Sequence, residues 1–241
     1  MKPSPQVSAQ FKAAHAQGTF VLFDVSGQRF SGHNAKRAQT PYSPASTFKI
    51  PSSLIGLTTN AVSSVDEVFY RYDGTPQYLK SWEHDMGLRG AIAVSNVSAY
   101  QELARRIGLA SMQQQLDALQ YGNRKIGGGI DQFWLNSSLK ISAIEQTQFL
   151  ARLAQGTLPN AKQQQAAVRD IIRLESGPDW VLYGKTGWTG RTQPSTGWFV
   201  GWVEQKGKIY SFALNMDIPS AADLPKRIEL AKASLRASGL M

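Results

Sequence analysis

Residues 197–217 read Gly-Trp-Phe-Val-Gly-Trp-Val-Glu-Gln-Lys-Gly-Lys-Ile-Tyr-Ser-Phe-Ala-Leu-Asn-Met-Asp. The fold class follows from them. Two runs rich in Val, Trp, Phe and Tyr, 197–205 and 208–217, are broken only by Gln205-Lys206-Gly207, which is a hairpin signal. Residues 180–185 form a third strand-like run just upstream. At the other end of the chain, Thr19-Phe-Val-Leu-Phe-Asp-Val25 is apolar and stops at Ser26-Gly27, with a short return strand at Arg29-Phe30. Between these ends the pattern is helical. Residues 46–59 follow a Pro-rich approach, and Tyr100–Gly108 carries Leu103, Ala104 and Ile107 before a glycine stop. Further helices are expected near 111–119, 142–155 and 161–174. A last one starts near Ala222, with Pro225 in its first turn and Leu224, Ile228, Leu230, Ala231 and Leu235 available for burial. Strands at both ends flanking a helical middle predict an α+β fold, an αβα sandwich. Its central antiparallel sheet is built from both chain ends and covered by helices. We expect one domain over 1–241, with residues 60–175 as an inserted, mainly helical subdomain and no internal repeat.

Composition narrows the function. The 241 residues are enough for one large core. No run of about 18 apolar residues exists, so membrane insertion is not expected. The absence of cysteine removes disulfides, thiol catalysis and thiolate metal sites. The net charge of +9 is spread out, with Lys36-Arg37, Arg105-Arg106 and Lys226-Arg227 as the densest pairs, which argues against nucleic acid as a partner. The histidines His15, His33 and His84 are dispersed, and the acidic residues show no metal-ligand spacing, so no metal is expected. Met1–Gln10 lacks the apolar core of a signal peptide, leaving a cytosolic protein or an exported one whose signal has been removed.

Ser46-Thr47-Phe48-Lys49 carries the first chemistry. A helix beginning near Ser46 puts Ser46 and Lys49 one turn apart on one side, a hydroxyl beside a possible base. Unpaired N–H groups of the first turn favour a developing anion, and Pro51 is an obstacle to a regular first turn. By itself this pattern is weak, since a helix cap with a surface lysine reads the same way. Two further triplets follow in order: Ser95-Asn96-Val97 ahead of a helix, and Lys185-Thr186-Gly187 at the end of a strand. Together they form the signature of the penicillin-recognising serine enzymes.

The chain resembles the class D β-lactamases, or oxacillinases, over residues 20 to 235. The resemblance rests on the three motifs together with Tyr121-Gly122-Asn123, Phe133-Trp134-Leu135, Ser138-Leu-Lys-Ile-Ser142 and Gly197-Trp-Phe-Val-Gly-Trp202. The 121–123 triplet and the Trp134-Leu135 pair separate class D from class A and from most transpeptidases. The resemblance implies a penicillin-recognising fold and hydrolysis of β-lactam antibiotics through an acyl-serine, which confers resistance. It implies that Lys49 is carboxylated by carbon dioxide or bicarbonate and serves as general base, among walls of Phe48, Val97, Trp134 and Leu135, with no metal or organic cofactor. It makes Ser46 the nucleophile, Ser95 a proton relay, and the backbone N–H groups of Ser46 and Trp188 the oxyanion hole. Lys185, Thr186, Gly187 and Arg227 would hold the substrate carboxylate, with Arg191 the runner-up to Arg227, and Tyr121 and Asn123 would border the substrate. The partners implied are β-lactam small molecules, and the protein is a monomer or homodimer in the periplasm or outside the cell.

Two related activities share this chemistry: a transpeptidase that deacylates slowly, and a β-lactam-sensing receptor that stays acylated. The apolar Val97 and Trp134 favour the hydrolase. Substrate range is expected to depend on Thr189–Thr196 and Gly74–Asp85.

Overall fold

The computed structural model describes residues 1–190 and 195–241. The chain opens with a two-residue strand, β1 (Lys2–Pro3), and helix α1 (Pro5–Ala13), then forms the hairpin β2 (Gly18–Asp24) and β3 (Arg29–His33). A short helix, α2 (Ala35–Gln39), leads to a 3-10 turn over Ala45–Phe48 that runs directly into α3 (Lys49–Thr58). The helical middle comprises α4 (Leu88–Ala93), α5 (Val97–Ile107), α6 (Leu109–Leu119), α7 (Ala143–Gln155) and α8 (Lys162–Ile171). The chain then returns to the sheet as β4 (Arg173–Ser176), β5 (Trp180–Trp188), β6 (Ser195–Gln205) and β7 (Lys208–Ile218), and closes with α9 (Lys226–Ala237).

Among the described residues these strands form one sheet in the order β1-β3-β2-β7-β6-β5-β4. All neighbours are antiparallel except β1 with β3. The chain ends meet where β2 pairs with β7, Gly18 opposite Met216 and Asp24 opposite Tyr210. The β6–β7 connection is the two-residue turn Lys206-Gly207, both at positive φ (50° and 72°). That handedness matches the twist of the strands it joins.

Both faces of the sheet are covered, which is why 197–217 lacks a polar alternation: Ser195 to Val203 are buried without exception. On one face Val21, Trp198, Val200, Trp202 and Ala213 share a core with residues of α3 to α8. On the other, Phe20, Leu22, Phe199, Phe212 and Leu214 pack against Val7 and Phe11 of α1 and Leu230, Ala231 and Leu235 of α9. Helix ends are set locally. Ser142 and Glu145 form a reciprocal capping box on α7, and Gly156 ends that helix in the left-handed conformation. Pro51 does not interrupt α3, because it sits in the first turn, where its missing N–H has no intrahelical partner to lose.

Several boundaries differ from expectation, and the last helix begins at Lys226, after a 3-10 turn over Ala221–Asp223, rather than near Ala222. The helix expected over 161–174 stops at Ile171, and Arg173–Ser176 becomes the edge strand β4. β5 extends to Trp188 rather than ending at 185, and the amino-terminal segment forms β1 and α1.

Candidate active site

The 3-10 turn Ala45–Phe48 is pressed against the end of β5. A Cβ on Gly187 would lie 2.9 Å from the Pro44 carbonyl and 3.1 Å from Thr47 Cγ2, so only glycine admits this approach. The turn is strained as well as close-packed: Ala45, just before the serine, has φ 47°. Thr47 is held by its own hydroxyl on the Pro44 carbonyl (2.8 Å) and by Gln146 Nε2 (2.8 Å). Ser46 is half-buried among fully buried neighbours.

Lys49 follows one turn later and is only 1 % exposed. Its Nζ donates to Ser46 Oγ at 3.0 Å and lies 5.1 Å from the centroid of the Tyr100 ring. Burial, reinforced by the Lys185 ammonium, pushes the Lys49 amine well below the ordinary lysine value. Phe48 stacks on Trp134 (5.5 Å, 26°) and meets Phe133 and Tyr121 edge-on. Trp134 is 1 % exposed, its carbonyl accepts from Ser43 Oγ at 2.9 Å, and its indole N–H has no partner. Leu135 packs partly buried against the same core.

Ser95 occupies the turn between α4 and α5 with φ 56°, a second strained non-glycine residue. The Asn96 side chain caps α5 through the Ala99 N–H (3.0 Å), fixing that turn. Val97 is the first, half-buried residue of α5.

The alternation along β5 assigns the remaining groups. Thr189 N–H bonds to β6 at Thr196 O (3.1 Å), while Gly184 N–H bonds outward to Ile172 O (2.9 Å). Thr186 and Trp188 share the phase of Gly184, so their N–H groups face the strand edge away from β6. The Trp188 indole donates to Ser195 Oγ at 3.0 Å. Lys185 is 8 % exposed and is pushed down to about 8 by burial and by the neighbouring Arg227 charge. Arg227 reaches from α9 over Gly197, where a Cβ would come within 3.4 Å of its Cδ. Its Nε and Nη1 are buried without a partner. Among the described residues no carboxylate pairs with Lys49, Lys185 or Arg227. Buried cations without counter-charge are costly, and this cluster is built to receive an anion.

Residues 11–236 match the family model described as penicillin binding protein transpeptidase domain. The chain is 43% identical to Beta-lactamase OXA-5 of Pseudomonas aeruginosa, over 96% of this chain and 88% of that protein. It is 39% identical to Beta-lactamase OXA-48 of Klebsiella pneumoniae, over 95% and 86%. The solved class D β-lactamase FUS-1 (OXA-85) from Fusobacterium nucleatum subsp. polymorphum superposes with a TM-score of 0.95 at 44% identity, covering 98% of each chain. The chain belongs to the class D β-lactamases.

The class D enzyme hydrolyses β-lactams, and its sheet-and-helix architecture is the penicillin-recognising fold. One expectation needs correction. Tyr121 is fully buried and cannot border substrate; its hydroxyl donates to Gln146 Oε1 (3.4 Å), one bond removed from Thr47. Asn123 accepts from the N–H of Lys125 (3.3 Å) and of Lys140 (2.9 Å) and donates to Ser138 O (2.9 Å), so it pins two stretches of one loop together. Gly122 at φ 53° lets that loop close, since a Cβ would lie 2.2 Å from Lys140 O. Arg191, with most of the loop between β5 and β6, lies outside the described residues. Sequence reading missed Tyr100 of the β-lactamase. The available signal was an aromatic residue one helical turn after Val97. Among the described residues no group of three metal-binding side chains occurs, and no helix is long and apolar enough to cross a membrane.

Proposed function

We propose that this β-lactamase works through an acyl-serine, with Lys49 carboxylated. The observations that carry the reading are a fully buried Lys49 amine, whose protonation burial disfavours, and the buried, partnerless indole N–H of Trp134 on a ring stacked against the adjacent Phe48. Carbon dioxide adds only to a neutral amine, and burial supplies one. The product would be an acceptor-only anion, and Trp134 offers an unused donor. Carboxylated, Lys49 supplies a general base beside Ser46.

The rest follows from the chain's own residues. Ser46 Oγ attacks the lactam carbonyl, losing its proton toward Lys49. The N–H groups of Ser46 and Trp188 face the developing oxyanion. Lys185 and Arg227 hold the substrate carboxylate, Arg227 through its planar fork, with Thr186 beside them. Ser95 passes a proton to the departing lactam nitrogen. Val97 and Leu135 supply apolar walls to the lysine pocket, and Gly187 keeps the serine turn against β5. A water that gives its proton to carboxylated Lys49 would then attack the acyl carbonyl, and Ser46 Oγ would take that proton back as it leaves, completing the cycle. The enzyme acts in the periplasm or outside the cell, where β-lactams meet their targets.

The test is turnover of a chromogenic cephalosporin and a penicillin with and without added bicarbonate. Sustained turnover that bicarbonate increases is expected. A single stoichiometric burst that bicarbonate does not extend would replace this reading with a sensor or transpeptidase.

A further inference from the structure

Asp131 lies three residues before Trp134, in a stretch of turns without regular helix or strand. Two residues of α5 grip it. Gln101 Nε2 donates to the Asp131 carbonyl at 3.1 Å, and Arg105 Nη1 donates to its carboxylate Oδ2 at 2.8 Å. Gln101 and Arg105 are four positions apart and share one face of the helix. The same helix presents Tyr100 to Lys49 Nζ and anchors that ring through its hydroxyl, 2.6 Å from Ser53 Oγ. Ser53 in turn donates to the Lys49 carbonyl at 2.8 Å. After Asp131 the chain turns tightly, with the Leu135 and Asn136 N–H groups both on the Gln132 carbonyl (2.8 and 2.9 Å). Asp131 and Trp134 therefore sit on one short rigid turn. Tyr100 of α5 meets Lys49 directly, Trp134 of the loop stacks on the adjacent Phe48, and the grip on Asp131 ties the two elements together.

We propose that the Gln101–Arg105–Asp131 clamp is a positioning device that sets how tightly Lys49 holds carbon dioxide, by fixing Trp134 relative to α5. This rests on the carboxylated-lysine reading. Carboxylation is reversible: the neutral nitrogen bonds to the carbon of CO2, a C–O π pair moves onto oxygen, and the N–H proton leaves to solvent. Its equilibrium depends on the donor that meets the new anion, and hydrogen bonds weaken steeply with displacement. The clamp itself is partly exposed (side chains 49% for Arg105 and 29% for Asp131), so its loss should loosen the loop without opening the core.

The experiment measures the bicarbonate concentration giving half-maximal turnover after removal of dissolved CO2, for the wild type, Asp131→Ala, Asp131→Asn, Arg105→Ala and the double alanine variant. The carbamate carbon is followed in parallel by NMR with 13C-labelled bicarbonate. Asp131→Ala and Arg105→Ala should each raise the midpoint about two- to fivefold, the range for a partly exposed ion pair. The double variant should do no more than the stronger single one, because both break the Arg105–Asp131 contact, while the further bonds of Arg105 to Glu102 stay within α5. Asp131→Asn, which keeps an acceptor but loses the charge, should fall between wild type and Asp131→Ala, and saturating bicarbonate should restore kcat in all of them. Variants that melt earlier without moving the midpoint would reduce the clamp to scaffolding. If Asp131→Ala fails to fold, Arg105→Ala decides alone. A wild type without a carbamate signal overturns the Lys49 reading and the clamp with it; a wild-type signal with unmoved midpoints overturns the clamp only.

Discussion

Lys49, Lys185 and Arg227 put three basic groups near one another with no carboxylate partner among the described residues, and the proposed mechanism gives each a different task. Because Lys185 sits at about 8 in the free enzyme, it loses its proton as pH rises through that value. Carboxylate affinity should therefore weaken by up to about tenfold per pH unit above it, until Arg227 alone remains. Carboxylating Lys49 replaces a neighbouring cation or neutral amine with an anion, which favours the Lys185 ammonium and moves this limb upward. Titrating penicillin binding to Ser46→Ala, with and without bicarbonate, checks both the limb and its shift. An unmoved limb would mean that the two lysines do not sense each other. Trp134→Phe removes the unpaired indole N–H and keeps most of the packing. We expect deacylation to slow by about ten- to a hundredfold, the cost of a lost charge-assisted bond, with acylation affected less. Stopped-flow separation of the two steps, with excess bicarbonate as partial rescue, tests it. Ser46, Lys49 and Trp134 could be named from sequence because their motifs are contiguous. Tyr100, Ser53 and Asp131 could not, since each acts through a contact with a residue far away in the chain. Tyr121 was misplaced for the same reason, as nothing in its triplet states whether the ring points in or out.

At the scale of elements, the 3-10 turn and β5 form one mechanical unit. Gly187→Ala would drive a methyl into Pro44 and Thr47 and push the serine off the strand edge. Overpacking of this kind costs about 1–3 kcal/mol. A displacement near 1 Å at the nucleophile is worth about a hundredfold in rate. The variant should therefore stay folded by circular dichroism while kcat/KM falls by about that factor. Near-wild-type acylation would show that the turn can re-seat. The long strands and the amphipathic helices were legible because burial imposes a period on them. β4 was not: largely exposed on a sheet edge, Arg173–Ser176 carries neither alternation nor an apolar run, and it reads as the tail of α8. α1 was invisible for a related reason, with only Val7 and Phe11 buried in a polar segment.

Across the whole molecule, the site draws on both faces of the sheet: Ser46 and Lys49 from the core beneath α3 to α8, and Arg227 from α9 on the opposite side. Arg227 is a stability cost carried for binding, since its buried nitrogens have no partner. Arg227→Ala should raise KM for penicillins by about ten- to a hundredfold. The same variant should hold or raise the melting temperature of the free enzyme. A clear fall in melting temperature would instead make Arg227 a structural residue. The αβα layering was readable from strands at both chain ends, because a sheet made that way needs cover on two sides. The pairing of β2 with β7 has a further consequence, in time rather than space. A ribosome delivers the first hairpin nearly the whole chain ahead of the strand that seals it. Until then β2 is an open, apolar edge able to recruit any passing strand. Yield of active enzyme should thus be governed by how well the cell keeps the unfinished chain apart from its own copies, and a lower level of expression, or a holdase that masks residues 18–24, should raise it.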